Sequence, residues 1–458
     1  MNHIIEEQLK TPITAEYDVI VSGGGPAGLA AAISSSRIGA RTLLIEKNGW
    51  LGGMATSGLV HPFMPSYAGD YPINKGIFWE IIERLVSMKA AVHPDHTKMG
   101  TGYTGFVVWP HAHVTPFDAE ALKWVIQDMV EEAKVNVLLH AQVVRALSEG
   151  TQATGVVVES KSGRMAFKGS VLVDATGDGD LAQLLDIPFL KGNDVDGSMQ
   201  PATIFFKLNG VDRKKVDEYI AKHPEERHFK SFAEKAIKDG RFIPSKHDVL
   251  LFYTPREGEV AVNTTRVHGI DGTNVFDLTR AEFESRRQVR ILVDFFKDYV
   301  PGFEHSYITT TASEVGIRES RRIVGEYTID KDDVLQTHQF PDNIAQCAYM
   351  IDIHDRKSTQ LFYTPVPEGR SYGIPYRSLL PKGKEKVLFA GRCISATQEA
   401  QGSLRVMPPS FSTGQAAGTA AALSVLHKTS PRDLDVQELK NTLERNGQVV
   451  DELAPVGD

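Results

Sequence analysis

Residues 17–47, YDVIVSGGGPAGLAAAISSSRIGARTLLIEK, constrain this chain more than any other stretch. Residues 18–22 form a short apolar strand, 27–38 carry the small-residue spacing of a helix, and 42–46 form a second apolar strand. Apolar strands joined by a helix are expected when parallel strands are buried on both faces, so a βαβ unit opens a doubly wound sheet. Between the first strand and the helix lies Gly23-x-Gly25-x-x-Gly28. The first glycine allows the turn, the second lets a pyrophosphate approach the backbone, and the third lets helix and sheet pack closely. Glu46 ends the second strand at the spacing where a carboxylate binds ribose hydroxyls. The flanking strands and this acid in register favour a dinucleotide site over a plain tight turn.

Two further loops indicate which dinucleotide. NGWLGGMATSGLV (48–60) brings Gly52, Gly53, Thr56, Ser57 and Gly58 directly after the second strand. A nicotinamide domain has no evident use for such a loop, whereas a flavin extends past the pyrophosphate and needs close backbone approach. VLVDATGDGDLA (171–182) ends a strand with Asp174 and sets Asp178 and Asp180 beside glycines. The acids are too few for a calcium site, so an Asp near pyrophosphate and ribitol is the reading, with no metal expected. Near the C-terminus, MPPSFSTGQAAGTAAAL (407–423) starts a helix of small uncharged residues, and a helix start suits an anion.

The 458 residues exceed one compact core, and 41% hydrophobic with 24% charged residues is ordinary for a globular protein. A net charge of −8 lacks the basic footprint of nucleic-acid or anionic-membrane binding. Cys347 and Cys393 are the only cysteines, which excludes a disulfide framework and a Cys-only iron–sulfur or zinc site, and a cytosolic thiol pair is expected. The acidic, polar N-terminus does not read as a signal peptide, and no apolar run reaches the ~20 residues of a membrane span. A cytoplasmic protein is expected.

A helix is expected over 117–134 with Asp118 as cap, followed by strands near 135–147, 153–159 and 164–168. The stretch 191–384 is less regular. Its strongest helix is expected to begin at Thr279, in a capping box with Glu282, and to end before Pro301. KVLFAGRCI (386–394) returns to a buried strand.

The Gly23–Gly28 unit, LGGMATSG, DATGDGD, GIRESRRIVGEY (316–327) and IPYRSLLP with VLFAGRCISA and GQAAGTAAAL together resemble the FAD-dependent oxidoreductases. These are related to the fumarate reductase and succinate dehydrogenase flavoproteins and to the flavin-bearing part of heterodisulfide reductase. The likeness covers most of 15–425. It implies an α/β fold, with a Rossmann-like, glutathione-reductase-type FAD-binding domain and an inserted mixed α+β substrate domain. The discontinuous FAD domain would comprise 15–62, 108–190 and 385–425, the insert 63–107 and 191–384, and a helical tail 426–458. Implied FAD contacts are Gly23, Gly25, Pro26, Ala27, Gly28, Glu46, Lys47, Gly52, Gly53, Met54, Thr56, Ser57, Val143, Ala175, Thr176, Gly177, Asp178, Gly391, Arg392, Gly414, Gln415, Ala416 and Ala417. The late helix would face the flavin N1/C2=O edge and stabilise negative charge on the reduced ring. Residues 48–60 contain no His or Cys, so FAD is expected to be non-covalent, although His61 lies just beyond. The cysteine clusters of the heterodisulfide relatives are missing.

The implied activity is a dehydrogenase or reductase moving a hydride between flavin N5 and a small organic substrate. An oxygen-using oxidase or monooxygenase, and an electron carrier acting with a protein partner, remain alternatives. Arg405, His61 and Arg318 are the candidate catalytic residues. On a helix Arg318 and Arg322 would share a face with Arg321 offset, and an Arg fork suits a carboxylate substrate; salt bridging with Glu314 and Glu319 is the equal alternative. His111, His113 and His354 are further acid–base candidates.

Overall fold

The computed structural model describes residues 7–108, 111–242, 249–354 and 361–453. Ile13–Ser22 runs through the centre of a seven-stranded sheet. It pairs in parallel with Thr42–Ile45 on one side and Gly163–Asp174 on the other. Asn136–Leu138 adds in parallel beyond Thr42–Ile45, and Val387–Phe389 joins the C-terminal end of Gly163–Asp174. Gln142–Glu149 and Gln152–Ser160 continue the sheet as antiparallel strands. Strands far apart in sequence thus end at one sheet margin, where ligands of open α/β sheets bind.

The helix Pro26–Ile38 follows the first strand, and Met407–His427 lies against it. Gly414 and Gly418 make this approach possible, because a Cβ at either would sit 2.0 Å from Ala27 O or 2.1 Å from Ala31 O. Nearly every residue of the late helix is buried, which explains its lack of charge. Asp118 caps Ala119–Glu132 as expected, its Oδ1 accepting Glu120 N–H at 2.9 Å. Ile77–Ser87, allotted to the insert above, packs against Ala119–Glu132 and the late helix.

A second, four-stranded antiparallel sheet orders Leu251–Tyr253, Val260–Val262, Phe206–Asn209 and Tyr307–Thr311. Two expectations are corrected here. The long helix spans Val275–Tyr299, one turn earlier than expected, because Asn274 Oδ1 accepts Phe276 N–H at 2.9 Å and serves as cap. Thr279 turns its hydroxyl back to Val275 O, and Glu282 accepts the Val315 N–H at 2.7 Å instead of closing a capping box. GIRESRRI is not helical either. It runs extended into the strand Arg321–Ile323, antiparallel to Phe189–Lys191, so pairing with a distant segment overrides local propensity. Among the described residues, no helix is long and apolar enough to cross a membrane.

Candidate active site

One cavity of about 380 Å³ runs from the glycine loops to the second sheet. Gly23 adopts φ +95° at its entrance, where a side chain would strike the Ala175 backbone. Gly25 differs: a Cβ there would meet nothing nearer than Gly53 Cα at 3.9 Å, so its bareness keeps cavity space open. Gly25 caps Pro26–Ile38 without a side-chain hydrogen bond, leaving the first N–H groups of that helix available. Val406 likewise caps the late helix without a side-chain hydrogen bond, but Pro408 and Pro409 carry no N–H, so Met407 alone can offer one there; Val406, Met407 and Ser410 line the cavity. Two uncapped helix starts therefore open into one space.

Glu46 Oε2 accepts Gly24 N–H at 2.6 Å and Oε1 accepts Asn48 N–H at 2.9 Å. A carboxylate has about four acceptor positions, so capacity remains for a pair of hydroxyls. The second glycine loop leans on the first, with Gly52 N–H donating to Gly24 O at 2.8 Å. Asp174 is buried and ties the third loop together by accepting from Thr176 N–H, Thr176 Oγ1 and Leu181 N–H. Burial, with Asp180 nearby, pushes its carboxyl up to about 7. Arg392 holds Asp178 Oδ1 at 2.6 Å and Gly177 O at 2.7 Å and reaches Ile317 O, so it braces the loops. An uncapped helix start beside an open glycine backbone and a partly satisfied acid fits a dinucleotide such as FAD.

Of the expected cofactor contacts, Gly23, Gly25, Pro26, Ala27, Glu46, Lys47, Gly53, Met54, Ala175, Thr176, Gly177, Asp178, Gly391 and Arg392 line the cavity. The others fall outside this lining. Gly28 packs on Gly23, Gly52 is pressed against Thr56, and Thr56 Oγ1 donates to Leu51 O. Ser57 Oγ accepts from Trp50 Nε1, while Val143 packs on the sheet's second core. Gly414, Ala416 and Ala417 are buried in the late helix, and Gln415 Oε1 accepts the Ile77 N–H. These four form a helix-packing surface, because the helix meets the cavity only at its first turn.

All three catalytic candidates line the cavity. Arg405 Nη2 donates to Asp352 Oδ2 at 2.9 Å, and its enclosed Nε has no acceptor among the described residues. Arg318 Nη1 donates to Pro201 O at 2.6 Å and Thr203 Oγ1 at 2.8 Å. Burial and the neighbouring Arg405 cation lower the Arg318 guanidinium to about 9, still charged at neutral pH. His61 Nε2 faces Tyr253 O at 3.3 Å; burial and Lys207 lower it to about 3, so it is neutral. Arg321 instead pairs with Asp180, and Arg322 with Glu319.

His111 and His354 also line the cavity, whereas His113 stacks on Tyr67 outside it. Arg266 Nη2 lies 2.9 Å from His354 Nδ1. A guanidinium only donates, so Nδ1 accepts and the proton sits on Nε2, 3.4 Å from Asp352 Oδ1. Burial drives His354 well below its ordinary range and keeps it neutral. Burial opposes charge on Asp352, yet His354, Arg405 and Arg318 hold it well below the usual carboxylate range. Asp352, Tyr349, Met350 and Phe205 were not singled out in the sequence. The available signal was Asp352-x-His354, two polar residues on one face of the strand Ile351–His354. Among the described residues, Tyr349 Oη has only the Met64 thioether as acceptor, at 3.7 Å.

A model of the FAD dependent oxidoreductase family matches residues 18–443. Digeranylgeranylglycerophospholipid reductase 2 of Methanopyrus kandleri is 29% identical over 170 residues, 35% of this chain and 38% of that enzyme. The match thus spans about two fifths of that relative's length. Dihydrolipoyl dehydrogenase of Trypanosoma brucei brucei is 52% identical over 42 residues, 9% of each chain. Among solved structures, a geranylgeranyl bacteriochlorophyll reductase-like protein of Thermoplasma acidophilum aligns at TM-score 0.46 and 12% identity, covering 95% of this chain and 84% of that one. The p-nitrophenol 4-monooxygenase of Pseudomonas putida aligns at TM-score 0.48 and 13% identity, covering 93% and 84%.

Proposed function

The chain belongs to the FAD-dependent oxidoreductase family, and on that premise we propose that it is a dehydrogenase or reductase that exchanges a hydride with a small organic substrate. The observation carrying this reading is the single cavity lined both by the dinucleotide loops and by the polar group of Arg318, Tyr349, Asp352, His354 and Arg405. Bound FAD would supply the two-electron chemistry. Gly23, Gly25 and the start of Pro26–Ile38 would hold its pyrophosphate, and Glu46 its ribose. The start of Met407–His427 would favour negative charge on the adjoining part of the cofactor.

Arg405 is fixed by Asp352 and lends its positive charge to the cavity. Tyr349 is held protonated by burial, and its hydroxyl has only a weak acceptor, so Oη–H is the group placed to give a proton or hydrogen bond. His61, being neutral, serves as a hydrogen-bonding wall and not as an acid. The test is anaerobic photoreduction of the purified protein followed by mixing with oxygenated buffer while the flavin absorbance is recorded. Slow reoxidation supports a dehydrogenase or reductase. Fast reoxidation replaces it with an oxidase or monooxygenase, and the absence of a flavin spectrum overturns the reading.

A further inference from the structure

We infer that the substrate is an amphipathic monocarboxylate whose anionic group is received by Arg318 beside Arg405 and whose uncharged body lies against the apolar lining of Met64, Phe205, Phe252 and Met350. The inference rests on the reading above that substrate and cofactor share this cavity.

The charges of the lining carry the first half. Its carboxylates among the described residues already have partners. Asp352 has Arg405, Glu314 has Lys47 at 3.5 Å, Glu282 has Arg286 at 2.6 Å and Asp178 has Arg392. Glu46 takes two backbone N–H groups. Arg318 stands apart, because among the described residues its guanidinium donates only to the neutral oxygens of Pro201 and Thr203. Asp352 acts on it only through space and is itself bound by Arg405, so a ligand carboxylate, whose two oxygens match the planar fork, would give Arg318 a direct ion pair of its own. Arg405, beside it in the lining, adds a second positive charge.

The rest of the lining carries the second half. Val60, Leu250, Val315 and Ile317 continue the apolar surface. A second carboxylate on the ligand would be desolvated against this wall, since Asp352 already occupies Arg405 Nη2. A small dicarboxylate is therefore disfavoured, and a longer or aromatic monoacid fits. Unbranched methionines accommodate bodies of varied shape.

The test is calorimetric titration of the holoprotein with 4-phenylbutyrate, its primary amide and succinate. We expect the monocarboxylate to bind at least about tenfold more tightly than the other two. In Arg318→Gln its preference over the amide should fall below about threefold, with the amide's own affinity little changed. The inference is overturned if the amide or succinate matches 4-phenylbutyrate, or if none binds up to about 10 mM. Should Arg318→Gln fail to fold, the three ligands on the parent protein decide by themselves. Calorimetry does not depend on flavin optics. A protein isolated without flavin would therefore sink the oxidoreductase reading while this comparison still decides the ligand class.

Discussion

Gly414 and Ala27 bring two helices into backbone contact, since a Cβ at Gly414 would lie 2.0 Å from Ala27 O. This contact sets the start of Met407–His427 beside that of Pro26–Ile38, so that both open into the cavity. Gly414→Ala must push the helices apart. We expect a loss of about 3 kcal/mol in denaturant unfolding, together with weaker FAD retention. Parental stability would mean that the helices tolerate a wider spacing.

Gly25 makes the opposite case. Its backbone, φ −72° and ψ −173°, suits alanine, and a Cβ would point into free space. Gly25→Ala should change stability by no more than about 0.5 kcal/mol. The FAD dissociation constant, read by fluorescence quenching, should rise about tenfold or more. Unchanged FAD affinity would place the cofactor away from this loop.

His61 is neutral in the folded protein, lowered to about 3 by burial and by Lys207, while an unfolded histidine titrates near 6.5. The unfolded chain therefore binds the extra proton below that pH. The stability due to neutral His61 is complete above about pH 6.5 and is lost on acidification at about 1.4 kcal/mol per pH unit. His61→Gln keeps an N–H for Tyr253 O and removes the titration. Unfolding measured at pH 7.5 and 5.5 should show a shallower loss in the variant; His354 contributes equally to both proteins. Identical slopes would contradict a neutral His61.

Asp352 and Arg405 should be energetically coupled. Asp352→Asn leaves a buried guanidinium without its anion and should cost about 3 kcal/mol. Adding Arg405→Gln should recover about 2 kcal/mol of the summed single losses in a double-mutant cycle. Additive losses would reduce the pair to a geometric coincidence.

Several features were legible because their causes are local. Gly23, Gly25 and Gly28 answer to turn geometry and close approach within one βαβ unit, and Glu46 to the end of the next strand. Gly414, Gln415, Ala416 and Ala417, expected at the cofactor, lie outside the cavity lining, and the small residues of 414–418 serve close helix packing instead. The partner of that helix is the Ala27–Ala31 surface, which lies nearly four hundred residues earlier in the chain. The extended course of GIRESRRI was not legible because its partner strand, Phe189–Lys191, is remote. Thr279 offered a sound capping pattern, but Asn274 provided an equally good cap one turn earlier.

The sequence by itself determined where the glycine loop, its helix and Glu46 at the end of the next strand stand, since backbone stereochemistry over a few residues dictates them. Only the tertiary structure decided which arginine faces the cavity without a direct salt bridge among the described residues. Arg318, Asp352 and Arg405 come from three separate stretches, and Asp352 pairs with Arg405. Whether a charge is compensated depends on every group that burial gathers around it, and distance along the chain carries no record of that.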